Sequence, residues 1–352
     1  MSNLHRPRIR NYQPGDEADW LALLNAAPDS AYQFFNQSPS LNVLRMVVEH
    51  PHMDATRNLF FAELSTHSEA SPASARRIVA SVQPARRFAA SPQQARRFAG
   101  YAEVWGAEGK PRAVGRLLVH PRWGRQKLGS RLLRRIEGRA LEIGCQYLDV
   151  ALAAEREGSR CFLEVQGFGV VHYRWHMVMP DLDLALAPRW PDGYQTRNFR
   201  PGLDERTSAQ LENACFAEAW EYVPVEVGEF EGFVRSPSFR ADGVIYATHE
   251  GRVVGECWCW LQIAENRAPG AKRRGDVWSL CVLPAHRRRG LGRALLLAGV
   301  QWLRHQGATT AYLGVDGANE EAKQLYQSAG FVTQRTDVWY RKGLKRQMEP
   351  RI

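Results

Sequence analysis

The chain contains itself twice, and no other feature of its sequence restricts the fold as much. Arg10-Asn11-Tyr12-Gln13-Pro14-Gly15 recurs as Arg197-Asn198-Phe199-Arg200-Pro201-Gly202, each run leading toward acidic residues and a helical pattern. Val119-His120-Pro121 is answered by Val282-Leu283-Pro284, and Gly167-Phe168 by Gly330-Phe331, both at an offset of 163. The opening motifs lie 187 positions apart, so the first copy carries about 24 extra residues between Gly15 and Pro121. Ala75-Arg76-Arg77, Ala85-Arg86-Arg87 and Ala95-Arg96-Arg97 account for them. They recur every ten residues in a Ser/Pro/Ala/Gln-rich stretch without a periodic apolar face, which reads as a low-complexity loop insertion over about 68–98. A domain-sized internal repeat suits a chain of 352 residues, longer than one core usually supports. The expected organisation is a first copy over 1–180, a linker over 181–193 containing Pro188, Pro191 and Gly193, and a second copy over 194–352.

Composition narrows the class. Hydrophobic residues make up 44% and charged residues 24%, ordinary for a globular protein, and no run of about 18 apolar residues could span a bilayer. The polar start, Met1-Ser-Asn-Leu-His-Arg-Pro-Arg, lacks the apolar stretch of a secretory signal, so a cytoplasmic location is expected. Cys145, Cys161, Cys215, Cys257, Cys259 and Cys281 are scattered, without CxxC or His/Cys spacing, which reads as reduced thiols and no metal site. The net charge of +10 is concentrated over Arg76 to Arg97, Lys272 to Arg293 and Arg341 to Arg351. Clustered cations suit a nucleic acid or a polyphosphate ligand, and only the middle group sits on a motif with interpretable chemistry.

Within the second copy, Val244 to His249 and Val253 to Leu261 read as strands joined by the hairpin turn Glu250-Gly251, and Val277 to Leu283 as a third. Leu291, Leu295, Ala298 and Trp302 then follow helical spacing until Gly307. Thr310 to Val315 is the next strand, Asn319 to Ala329 a helix closed by Gly330, and Phe331 to Tyr340 the last strand. The class is α/β with a mixed sheet. Between the third strand and its helix stands Arg287-Arg288-Arg289-Gly290-Leu291-Gly292-Arg293. Free N–H groups and the dipole at a helix start favour an anion, glycines allow close backbone approach, and arginines add charge, so the loop could cradle a pyrophosphate. A basic turn that only caps the helix is the alternative. The glycine spacing fits neither GxxxxGK[ST] nor GxGxxG, which sets aside NTP and NAD sites.

Val282-Leu283-Pro284 followed by Arg287-x-x-Gly290-x-Gly292 resembles the acetyl-CoA signature [QR]xxGx[GA] of the GNAT acetyltransferase superfamily, and Asn319, Tyr326 and Gly330-Phe331 resemble that family's N-x6-Y-x3-GF region. The resemblance implies two tandem GNAT acyl-CoA N-acyltransferase domains, similar in architecture to the mycothiol synthase family, and acetyl-CoA as acyl donor. It implies that the backbone of Leu280, Cys281 and Val282 binds pantetheine and thioester along a splayed strand edge. Arg288 to Arg293, Leu291 included, would wrap the pyrophosphate, Asn319 would contact the CoA arm, and Tyr326 would protonate the leaving thiolate. Acyl transfer to a neutral amine also needs a proton acceptor. Several family members place a Glu where this chain has Asp276, and Glu256, among Trp258 and Trp260, is the other candidate. A further branch uses a Glu at the position of Gly314, so its solution is absent here.

Carried back by 163, Gly290 maps to Lys127, Arg287 to Gly124, Gly292 to Gly129, Asn319 to Arg156, Tyr326 to Leu163 and Asp276 to Ala113. The first copy is therefore expected to be catalytically dead and the second to hold the chemistry. Between Leu211 and Val234 stand Glu212, Glu218, Glu221, Glu226, Glu229 and Glu231 with no Lys or Arg, alongside Trp220, Tyr222, Phe230 and Phe233. Such a region could attract a cationic amine or merely be solvated helix. The expected acceptor is a primary amine of a small molecule or peptide, with no membrane partner and nucleic acid disfavoured. Two fused copies suit a monomer or a homodimer. The competing reading is a non-catalytic basic protein that binds nucleic acid or a partner and keeps a vestigial CoA site.

Overall fold

A computed structural model describes residues 6–26, 39–50, 52–64, 98–236, 239–261 and 273–345. The chain divides into two compact units whose membership departs from chain order. One comprises Met1–Leu152, Arg156–Val171 and Trp339–Ile352, the other Ala153–Glu155 and His172–Val338.

The first unit begins with β1 (Arg8–Asn11), α1 (Glu17–Asn25), α2 (Leu41–Val48), α3 (Ala55–Asn58) and β2 (Leu59–Glu63), then runs through β3 (Phe98–Gly106), β4 (Arg112–Val119), α4 (Leu128–Ile143), β5 (Tyr147–Ala153) and α5 (Glu157–Val165). β2 and β3 pair antiparallel from Leu59↔Glu103 to Glu63↔Phe98, so the arginine-rich expansion joins neighbouring strands. The expansion itself, Arg76 to Arg97 included, lies outside the described residues. Trp20, Leu44, Leu59, Phe61 and Tyr101 are fully buried and form this unit's core. Leu132, Leu133, Ile136 and Ala140, spaced for one helical face, are the buried face of α4. β4 and β5 are parallel, and the end of β12 (Val332–Gly343) lies next to β5. There Arg112 and Arg341 both bond the fully buried Asp149, at 2.8 and 2.7 Å.

The second unit takes most of β6 (Gly169–Met179) and continues through β7 (Tyr194–Asn198), α6 (Glu205–Phe216), α7 (Val227–Val234), β8 (Val244–His249), β9 (Arg252–Leu261), β10 (Arg274–Val282), α8 (Leu291–His305), β11 (Thr310–Asp316) and α9 (Glu320–Ser328). Its strand order is β7-β8-β9-β10-β11-β6, with the first part of β12 beside β6. Only β10 and β11 are parallel among the ladders of that run, so the sheet is mixed. These elements match the strands and helices expected from the sequence to within a few residues. Met177, Met179, Ala311, Leu313 and Val315 share a core with Leu291, Leu295, Val300 and Tyr326 on one face of the sheet. Phe199, Phe230, Tyr246 and Trp258 form a second cluster on the other face, where α6 and α7 lie. The expected linker is not a bare spacer. Leu182 is buried in the larger core and its N–H donates to Thr309 O at 3.2 Å.

The repeated opening motif builds the same local device twice. Arg10 holds Asp16 through two bonds of 2.7 and 2.9 Å, and Arg197 holds Asp204 through two of 2.6 and 3.0 Å. In each copy the arginine also bonds the carbonyl of the following Asn. Bidentate pairing fixes the turn that brings the first strand into the first helix, and in the second copy Arg200 and Arg197 together, against the opposing effect of burial, pull the Asp204 carboxyl down to about 2.

Candidate active site

The parallel ladder between β10 and β11 runs only from Arg274↔Thr310 to Asp276↔Tyr312. Beyond it β10 continues to Val282 and β11 to Asp316 without pairing to each other, while β11 stays bonded to β6 through Asp316↔Arg174. An opening between two adjacent strands leaves one edge of Val277 to Val282 outside the ladder. Leu280, Cys281 and Val282 lie on this edge, and their other edge is occupied by Cys257, Glu256 and Gly255 of β9.

From β10 the chain passes through a 3-10 turn, Pro284–His286, and enters α8 after two left-handed residues, Arg288 (φ 62) and Gly290 (φ 81). A non-glycine residue in that region is uncommon, so the loop is held by its surroundings rather than by local preference. The first N–H groups of α8, at Leu291, Gly292 and Arg293, lack intrahelical partners as at any helix start. The first copy keeps this trace. Arg125 (φ 60) and Lys127 (φ 59) occupy the equivalent positions before α4, so the same backbone trace forms without the glycine.

The arginines of the loop divide by role. Arg287 turns back, donating from Nε to Val282 O at 3.0 Å and from Nη2 to Cys215 O at 3.4 Å, which ties β10 to the end of α6. Arg288 pairs with Glu321 at the surface and Arg293 donates to Ser328 Oγ at 2.5 Å, joining α8 to α9. Arg289 is exposed. Asn319 caps α9, its Oδ1 accepting from Ala322 N at 3.0 Å.

Glu256 stands directly across the ladder from Cys281 and is completely buried. Its Oε2 accepts from Ser208 Oγ at 2.9 Å, and Ser208 Oγ lies 2.5 Å from Tyr246 Oη. Its Oε1 has no hydrogen-bond partner among the described residues. Burial without a nearby cation penalises the carboxylate, so its pKa is pushed up to about 8, with Glu212 adding repulsion. Glu212, on the buried face of α6, is pushed up to about 7 for the same reason, with a smaller push from Glu229, and its Oε2 is also unpaired among the described residues. Asp276 sits differently. It lies in the paired part of β10, and its Oδ1 accepts from Arg274 Nε at 3.0 Å and Nη2 at 2.5 Å.

Tyr326 rises from α9 into the core beneath the opening and is buried, which holds its hydroxyl pKa well above the ordinary value. Cys257 and Cys281 press in the same direction and Arg174 opposes them, so the ring reaches toward both strands. Of the acidic stretch, Glu226 and Glu229 form the capping box of α7 and lie exposed with Glu218 and Glu231. Phe230 is core, and Trp220 stacks on His172 with ring centroids 4.2 Å apart. Among the described residues no group of three or more His, Cys, Asp or Glu could hold a metal ion, and no helix is long and apolar enough to cross a membrane.

The sequence profile of the Acetyltransferase (GNAT) family matches residues 54–168 and again 207–331. The chain belongs to this family. As a GNAT protein with two domains it is an N-acetyltransferase, and GNAT acetyltransferases use acetyl-CoA. It is 34% identical over 230 residues to a mycothiol acetyltransferase of Thermobispora bispora, covering 65% of this chain and 75% of the relative, and 33% identical over 236 residues to one of Saccharomonospora viridis, covering 66% and 75%. In fold it is similar to a GCN5-related N-acetyltransferase from Sphaerobacter thermophilus, with a TM-score of 0.71 at 22% identity over 97% of both chains. It is also similar to a tandem GNAT protein of the clavulanic acid biosynthesis pathway, with a TM-score of 0.68 at 17% identity over 97% of this chain and 99% of that one.

Within this GNAT fold four side chains escape a motif-based reading. Glu212 looks from sequence like one of six solvated acids, yet it shares the helical face of Ser208 and Leu211, a position at which an acid is unusual. Ser208 and Tyr246 carry no motif, and Arg174 belongs to a strand of the first copy that the second unit uses.

Proposed function

We propose that the second unit transfers an acetyl group from acetyl-CoA to a primary amine of a small molecule or peptide, with Glu256 as base and Tyr326 as acid. The observation that carries this reading is Glu256: a fully buried carboxyl with one free oxygen, opposite Cys281 on the edge where the thioester would lie. In the proposed step the neutral amine nitrogen attacks the thioester carbon and passes one N–H proton, through a water, to Glu256. The tetrahedral intermediate collapses with cleavage of the C–S bond, and Tyr326 donates its phenolic proton to the departing sulfur. The raised pKa of Glu256 suits a base, which needs affinity for a proton near working pH, and the raised pKa of Tyr326 keeps its phenol protonated, as a donor must be. Gly290, Leu291 and Gly292 would present backbone N–H groups to the pyrophosphate, with Arg288, Arg289 and Arg293 adding charge. We assign Asp276 to holding Arg274 and Asn319 to capping α9 and lining the pantetheine arm. The first copy has Lys127, Arg156 and Leu163 at the key positions and no counterpart of this chemistry.

The test is release of free thiol from acetyl-CoA with a panel of amines. Tyr326→Phe is expected to lower kcat by about 100-fold or more, the usual worth of a positioned proton donor. Equal rates for Tyr326→Phe and the wild type would remove Tyr326 from the mechanism.

A further inference from the structure

Arg174 belongs to the second unit and has no role in the chemistry above. Opposite residues of an antiparallel ladder share a face, so Arg174 lies with Asp316, and His176 with Gly314, on the face away from the buried Leu313 and Val315. This is the face of α6, since Trp220, just beyond that helix, stacks on His172, two residues from Arg174. The guanidinium lies across Gly314: a methyl group built there would fall 2.8 Å from Nε and 2.9 Å from Nη2 of Arg174. Glycine at this position is thus what lets the arginine reach toward the opening between β10 and β11. Arg174 is exposed, and the groups packed around its guanidinium lower its pKa by desolvation.

Its guanidinium has no direct anionic partner among the described residues. Asp337 and Asp316 are near enough to favour its charged form, but each is committed elsewhere: Asp337 to His176 at 2.7 Å and Arg335 at 2.9 Å, Asp316 to His172 at 3.0 Å and Ala318 N at 2.7 Å. Among the described residues no hydrogen bond or ion pair is made to the Arg174 guanidinium. On the same face of the sheet, Glu256 and Glu212 are two carboxyl groups with unpaired oxygens. With Glu256 pushed up to about 8 and Glu212 to about 7, the first is largely and the second partly protonated at neutral pH, and the positive charge of Arg174 stands beside them on the same face, open to solvent and with no bonded anion.

We propose that the acceptor carries an anionic group bound by Arg174, in addition to the amine that faces Glu256. The inference rests on the proposed reaction and names its substrate class. Arg174 reaches over β11, and Glu256 is on β9, two inter-strand steps or about 10 Å away before the opening is added. With about 3 Å of hydrogen bond at each end, the anion sits several bonds from the reacting nitrogen, farther than in an α-amino acid. The fitting class is an ω-amino acid, or an amine bearing a phosphate at similar distance.

The experiment compares kcat/KM of the full-length enzyme for β-alanine, 4-aminobutyrate and 6-aminohexanoate with that for propylamine, butylamine and hexylamine. Aminoalkyl phosphates of matched length form a third arm that separates carboxylate from phosphate recognition. The wild type is expected to prefer the anionic member of a matched pair by about tenfold or more, the worth of a charge-assisted bond. Arg174→Met and Gly314→Ala should each collapse that ratio, mainly through KM, and Arg174→Lys should keep part of it. Equal kcat/KM for anionic and neutral amines in the wild type, or a ratio that survives both Arg174→Met and Gly314→Ala, overturns the anion site and leaves the proposed acid and base standing. Unchanged rates in Tyr326→Phe and Glu256→Gln would overturn the chemistry and leave the Arg174 ratio as measured.

Discussion

A carboxyl with a free oxygen, held at full burial beside a second raised carboxyl, is a poor choice for stability, and Glu256 is that group. Its consequences can be measured in two ways. If Glu256 is the base we propose, it acts when deprotonated, so kcat/KM should rise with pH and level off near pH 8, and Glu256→Gln should remove that rise and lower kcat by about 100-fold. In stability the sign is opposite to that of a salt-bridged acid. The folded pKa of about 8 exceeds the ordinary 4.5, so the folded state holds a proton that the unfolded state releases. The stabilisation is complete below about pH 4.5 and is lost as pH rises through 8. The melting temperature of the wild type should fall from pH 5 to pH 8, and Glu256→Gln should flatten that fall, leaving the part due to Glu212. An unchanged slope would show that Glu256 is ionised or solvated in the folded protein. Glu256 was legible because it sits on a strand beside tryptophans. The pairing of Glu212 with it, and the open charge of Arg174, were not, because both depend on which distant strands share a face.

The elements were the most readable level. A strand ending in Val-x-Pro, a glycine at the helix start and helical spacing after it predict β10, the loop and α8, and the structure has them. The premature end of the β10–β11 ladder was not readable from spacing, since it is a fact of register between strands separated by a helix. The duplication supplies a natural experiment on the loop. Lys127 adopts φ 59 where Gly290 has φ 81, so a side chain there is compatible with the fold at the ordinary cost of a left-handed residue, about 1–2 kcal/mol. Gly290→Lys should accordingly leave a folded protein while blocking close approach of phosphate to the first turn of α8. Isothermal titration is expected to show acetyl-CoA binding weakened at least tenfold, with circular dichroism unchanged. Retained affinity would mean that the arginines, rather than the backbone, carry the pyrophosphate.

At the scale of the whole chain, the repeat in the sequence and the compact units do not have the same borders. The repeat places the second copy at 194–352, whereas the second unit runs from His172 to Val338 and includes Ala153–Glu155. The difference has an energetic meaning. β6 is paired along β11 from Ala311↔Met179 to Asp316↔Arg174, and Met177, Met179 and Leu182 are all buried in the core of the second unit. Each such side chain is worth about 1.5–3 kcal/mol when buried, so a fragment beginning at 194 forfeits about 5–9 kcal/mol against a total stability of about 5–15 for a typical domain. It also exposes the hydrogen-bonding edge of β11, a template for aggregation. A fragment of residues 194–352 is therefore expected to elute as aggregate and to melt without a cooperative transition. One of residues 172–352 should recover a folded core, because it restores β6 and Leu182. Cooperative melting of the shorter fragment within a few degrees of the full chain would show that the second copy stands without the strand lent by the first. The opposite result would give the first copy a structural role in the second unit, since its last strand carries Arg174 and pairs along β11.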